Sequence, residues 1–120
     1  ATWRQFNADV ALQLAYVCGL VQDRVLAETC VATNNSSGNV GGPAGIGVDA
    51  TNANSAQLFG GASITSVAAF TGFAKYRGVP GLGYHYLAWL QYSDATGTTT
   101  WYGTGVGSWT GIAINGEVLA

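Results

Sequence analysis

The sequence predicts an all-β domain, an antiparallel β-sandwich of jelly-roll type. Two observations carry this expectation. Apolar residues recur at every second position in a series of short runs, and the runs are separated by turns rich in glycine, asparagine and serine, a pattern of half-buried strands. Eighteen glycines in 120 residues supply the punctuation, and the spacing allows about seven or eight strands with little helix, as sandwiches have. No repeat of the propeller or solenoid kind runs through the chain. The length fits a single domain, residues 1–120, large enough to bury a core without covalent staples.

From Val10 the chain alternates Val10, Leu12, Leu14 and Tyr16 against Ala11, Gln13 and Ala15. A helix capped by Asn7 competes here through Ala, Leu and Gln, but the period of two and the Val and Tyr content favour a strand. After the turn "GLVQDR", residues 24–33 place Val25, Ala27, Thr29 and Val31 on one side and Arg24, Leu26, Glu28 and Cys30 on the other. These first two strands are expected to pair as a hairpin. "TNNSSGNVGGPAG" reads as a mobile surface loop with nothing to bury, since Gly, Asn and Ser favour turns. Asn34 and Asn35 each open an N-x-S sequon.

"GIGVDATN" gives a short strand with Ile46 and Val48 inward, and "SAQLFGG" a turn or short edge strand. "ASITSVAAFTGFAKY" has Ile64, Ala68, Phe70 and Tyr76 on one parity and Val67, Ala69 and Phe73 on the other, which predicts a central strand, apolar on both faces, with a bulge at Gly72. Pro80 and Gly81 suit a type II turn. The following strand alternates Tyr84, Tyr86, Ala88, Leu90 and Tyr92 against His85, Leu87, Trp89 and Gln91. Through "SDATGT" it is expected to form a hairpin with the aromatic "TTTWYG". The closing "GIAINGEVLA" puts Ile112, Ile114 and Val118 on one parity and is expected to close a sheet.

Composition limits what such a domain does. Four basic residues against six acidic ones give a net charge of −2 and no basic stripe, so nucleic acid is not an expected partner. The apolar runs are too short and too interrupted to span a membrane. Ten charges in 120 residues cannot cover the surface with ionic groups, which predicts burial of neutral faces between copies, as a homotrimer. The chain begins at Ala1 and contains no methionine, and no leader from which to read localisation stands in it.

Chemistry-bearing motifs are sparse. Cys18 and Cys30 are too few for a disulfide framework and lack companion ligands for zinc; they read as structural thiols, with a Cys18–Cys30 disulfide as the alternative. The six carboxylates stand singly, without calcium-loop spacing. "GNVGGPAGIG" lacks the lysine of a phosphate loop, and no G-x-S-x-G elbow occurs. No cofactor and no metal site is predicted, and no catalytic residue is assigned. His85, the only histidine, is read as framework: a neutral imidazole bonded to a backbone carbonyl or hydroxyl, holding the aromatic strands in register. A small hydrolase centred on His85 is the enzymatic alternative.

The aromatics remain, because they stack on sugars and also build interfaces. Tyr84, His85, Tyr86, Leu87, Trp89, Leu90 and Trp101 are expected in the core or a subunit interface. Tyr102, Trp109, Asp94 and Thr96 are the candidates for meeting a ligand.

The run "YRGVPGLGYHYLAWLQYSDATGTTTWYG", residues 76–103, followed by a short glycine-rich link and the terminal "GIAINGEVLA", resembles appendage proteins of tailed bacteriophages, namely tail fibres, spikes and capsid decorations. The matching residues are Pro80, Gly81, Gly83, Tyr84, His85, Leu87, Trp89, Leu90, Thr98, Thr99, Thr100, Trp101, Tyr102 and Gly103, with Gln91 where that pattern more often has Glu. The resemblance covers the C-terminal third, and loosely "QDRVLAE". It implies a module on the virion surface, hence extracellular: a trimeric sandwich like the globular heads of complement and tumour-necrosis-factor proteins, in contact with other virion proteins and with host-surface glycan. A non-enzymatic structural and adhesive domain is therefore the leading expectation, and a free carbohydrate-binding lectin the alternative.

Overall fold

The computed structural model describes residues 2–6, 13–37, 44–59, 70–93, 95–102 and 113–120, with the backbone alone at 58, 59, 70 and 113. These residues form nine strands: β1 (Thr2–Gln5), β2 (Gln13–Cys18), β3 (Arg24–Asn35), β4 (Ala44–Val48), β5 (Gln57–Phe59), β6 (Phe70–Gly78), β7 (Gly83–Ser93), β8 (Thr99–Tyr102) and β9 (Ala113–Leu119). Among the described residues there is no helix. All pairings are antiparallel, in two sheets packed face to face, so the predicted sandwich is present.

Each sheet is built on one long strand. In the first, β7 pairs with β2 and then β1 along one edge and with β4 along the other. In the second, β3 pairs with β6 on one edge, while β9 and β8 follow each other along its opposite edge; β5 extends the sheet beyond β6. The chain changes sheet between β2 and β3 and again between β7 and β8. Both expected hairpins are therefore absent. An amphipathic strand buries its apolar row equally well beside a neighbour or opposite it across the core, and period-two alternation does not separate the two.

The core lies between the sheets. Cys18, Val25, Ala27, Ile46, Ala74 and Leu87 form one cluster, and Val31, Ala44 and Trp89 a second. Burying Ile46 and Leu87 contributes about 1.5–3 kcal/mol each. The alternation expected in β3 holds, with Val25, Ala27, Thr29 and Val31 all buried. In β2 the parity holds as well, Leu14 and Tyr16 packing on the first cluster; Val10 and Leu12 lie outside the described residues. Phe6 stacks on Trp89 at 4.3 Å and meets Trp101 edge-on at 5.6 Å, which ties the two sheets together by aromatic contact.

Four expectations about strand character are corrected. Thr33 and Asn35 are buried within β3, so the strand enters "TNNSS" rather than stopping before it. Gly72 pairs in continuous register with Val31, without a bulge. Over its described part β6 is apolar on one face only: Gly72 and Ala74 point inward, whereas Phe73, Lys75 and Arg77 are exposed. Ile64, Val67 and Ala68 lie outside the described residues. Conversely, β7 is buried without alternation from Leu87 to Leu90. The outward-facing Ala88 and Leu90 are covered because residues 50–54 and Trp3 lie against the neighbouring Gly47 and Gly45 of β4. Cys18 and Cys30 form no disulfide, since Cys18 faces the core and Cys30 sits on the other parity of β3.

Candidate functional site

The sandwich measures 47 Å along its longest axis, and its two ends differ in chemistry. At one end β3 runs out beside β8 and the connection that precedes it. Asn35, only 1% exposed, donates its amide to the carbonyl of Thr96 and to Thr99 Oγ1, both at 3.0 Å, and accepts the Ser37 N–H at 2.8 Å. Thr33 Oγ1 donates to the Thr100 carbonyl, while Ser36 and Thr98 exchange two further bonds. Gly97 has φ of 71°, and a Cβ there would collide with Ser37 Oγ and Asn35 Oδ1. Thr33, Asn35, Ser36 and Ser37, the start of the segment read as a loose loop, thus belong to a polar network, and residues 38–43 of that segment lie outside the described residues. Of the two sequons, Asn34 is only half-buried, whereas the Asn35 side chain is turned inward and fully engaged.

At the other end lie the turn 19–23, the turn 79–82 and the last residues of β9. Asp23 is buried and accepts the N–H groups of Gly19 and Leu20 at 2.8 and 2.9 Å, which fixes the first turn. Gly81 carries the positive φ, 105°, that the second turn requires. Both turns hold apolar side chains outward: Leu20 and Val21 on one, Val79 and Leu82 on the other. The cross-strand partners Val17 and Tyr84 are each 67% exposed beside them, and on the other sheet Val118 and Leu119 are 39% and 43% exposed at the same end. Of the nine large apolar residues exposed among the described residues, all but Phe73 lie at this end.

His85 joins the apolar end to the body. Its Nδ1 is 2.7 Å from Asp49 Oδ2, and its Nε2 is 3.3 Å from the Gly81 carbonyl. Both partners accept, so the doubly protonated ring is the form that satisfies both. The hydrogen bond to Asp49 is the main cause that raises the His85 pKa, against the opposing effect of burial. Burial alone would raise that of Asp49, but the bonds from His85 and from the Tyr86 N–H outweigh it and the net shift is downward. The sequence expectation is corrected accordingly: the carbonyl partner is there, but the imidazole is biased toward its charged form by a carboxylate 36 residues away. Burial also pushes the Tyr16 and Tyr76 hydroxyls beside this pair upward.

The predicted residues separate as follows. Leu87, Trp89 and Leu90 are core; Tyr86 and Trp101 are half-buried. Tyr84 is not core, because its parity on β7 turns it outward with Val17. Tyr102, half-buried opposite Ala32, and the exposed Thr96 do share the polar end; Asp94 and Trp109 lie outside the described residues. Sequence reading missed Asn35, Asp23 and Asp49. Only Asp23 carried a local signal, standing four residues after Gly19 in a turn. Among the described residues no three His, Cys, Asp or Glu side chains are grouped to hold a metal. No family model, curated protein or solved structure matches the chain.

Proposed function

We propose that the chain is a non-enzymatic structural and adhesive domain of a virion surface, which packs against copies of itself through the apolar end and exposes its remaining surface to host glycan. One observation carries this reading: two turns, one fixed by Asp23 and the other by Gly81, hold Leu20, Val21, Val79 and Leu82 in water. Together with Val17 and Tyr84 they form a set of six exposed apolar residues at one end, the kind of surface that partners bury. Such a surface on a low-charge domain favours burial between copies, and three copies around one axis close such a contact. The resemblance of residues 76–103 to phage appendage proteins supports the virion setting.

Light scattering tests the assembly. The wild type should exceed the 12.3 kDa of one chain in a concentration-dependent manner and approach three copies. Leu20→Ser with Leu82→Ser should return it to a folded monomer. A wild type that stays monomeric at high concentration overturns the reading. Recovery of the chain in purified particles supports the virion assignment, whereas glycan binding by a protein found outside particles favours the free lectin.

A further inference from the structure

The outer face of the second sheet carries a groove of about 900 Å³. Its walls are outward-pointing side chains in two cross-strand rows, Gln57–Lys75–Glu28–Asn115 and Arg77–Leu26–Glu117. The intervening Ala27, Tyr76 and Gly116 line its floor. Lys75 and Glu28 pair at 3.5 Å, whereas Arg77, Asn115 and Glu117 have no side-chain partner among the described residues. In the next row, Phe73 stands 47% exposed.

We infer that this groove is a binding site for a neutral oligosaccharide. The inference rests on the adhesive part of the proposed function and moves the contact from the polar end to a sheet face. Two cations and two carboxylates cancel along the groove, so it offers no net attraction to phosphate or to a charged sugar chain. It does offer donors and acceptors of both kinds facing the same way: Arg77 and Glu117 stand across Leu26, about twice the ~4.8 Å strand spacing apart, and with Asn115 they are free to engage hydroxyls along a sugar chain. Charged groups make the stronger hydrogen bonds to neutral hydroxyls, and the exposed face of Phe73 supplies the stacking surface that the apolar side of a pyranose takes.

Titration of the full chain with maltotetraose, cellotetraose and chitotetraose, followed by backbone NMR shifts, tests this, with sialyllactose and inorganic phosphate as charged probes. At least one neutral sugar should bind and shift signals on β3, β6 and β9. Arg77→Ala and Glu117→Gln should each weaken it by about tenfold, as loss of a charge-assisted bond implies, with circular dichroism and assembly mass unchanged. Thr96→Ala, at the polar end, should leave it unaltered. Absence of binding to all three, binding that survives both groove variants, loss on Thr96→Ala, or preference for a charged probe would overturn the inference. A protein that assembles normally but binds no neutral sugar loses this site alone; one that binds sugar as a monomer loses the assembly reading alone.

Discussion

The two ends of the sandwich are each held by a buried polar side chain that binds backbone, yet they present opposite surfaces. At the polar end Asn35 satisfies its donors and acceptor within the chain, and what reaches solvent is threonine and serine. At the apolar end Asp23 satisfies two N–H groups with one oxygen, while its other oxygen, Oδ1, is buried without a hydrogen-bond partner among the described residues. What reaches solvent there is leucine, valine and tyrosine. The difference teaches that fixing a turn and burying its residues are separate matters. The network at the polar end finishes a fold, whereas the turns at the other end spend order on displaying side chains that water disfavours.

The sharpest way to break the comparison is to remove each anchor and follow urea unfolding of the assembly-deficient double variant, so that association does not mask the result. Asn35→Ala strips three hydrogen bonds and leaves buried groups without partners, so a loss of about 3 kcal/mol is expected. Asp23→Ala should cost less, about 1–2 kcal/mol, because losing two bonds is partly offset by removing a buried carboxylate oxygen that had no partner. Equal losses would mean that the two ends are held alike.

The smallest effect is expected from pH. His85 has a raised pKa in the fold, so its contribution is complete below its ordinary value of 6.5 and fades as pH climbs through the higher folded value. Asp49 has a lowered one, so its contribution is complete above 3.8 and fades as pH falls through the lower folded value. Melting temperature should therefore be highest between about pH 4 and 6.5 and decline on the alkaline side. His85→Gln should flatten that alkaline decline. If the decline persists in the variant, the ring does not clamp the turn 79–82.

How much of this was legible follows from which forces act locally. The alternation of β3 from Val25 to Val31 and the turn at Gly81 are written in adjacent residues, because strand faces and positive φ are local properties. Pairing was not: β2 and β3, and β7 and β8, are adjacent in sequence yet lie in different sheets. The burial of Leu90 depends on Trp3 and on the segment after β4, elements no periodicity in β7 can report. The aromatic run from Tyr84 to Trp101 drew attention to the right strands, and Leu87 and Trp89 proved to be framework. The polar anchors escaped because Asn35 and Asp49 act on partners 61 and 36 residues away.

The arrangement around β3 has a consequence for how the chain reaches its fold. Every strand that pairs with it, β6, β8 and β9, is made later, and Arg24 finds its partner only at Leu119. β7 likewise must close on β1 and β2, separated from them by most of the second sheet. Such pairings demand the closure of long loops before any contact rewards it, so folding belongs to the slow, millisecond-to-second class of sandwiches. During synthesis Val25, Ala27 and Val31 wait for Gly78, Tyr76 and Gly72 of β6 while β4 and β5 emerge in between, and β3 gains its opposite edge only with β8 and β9.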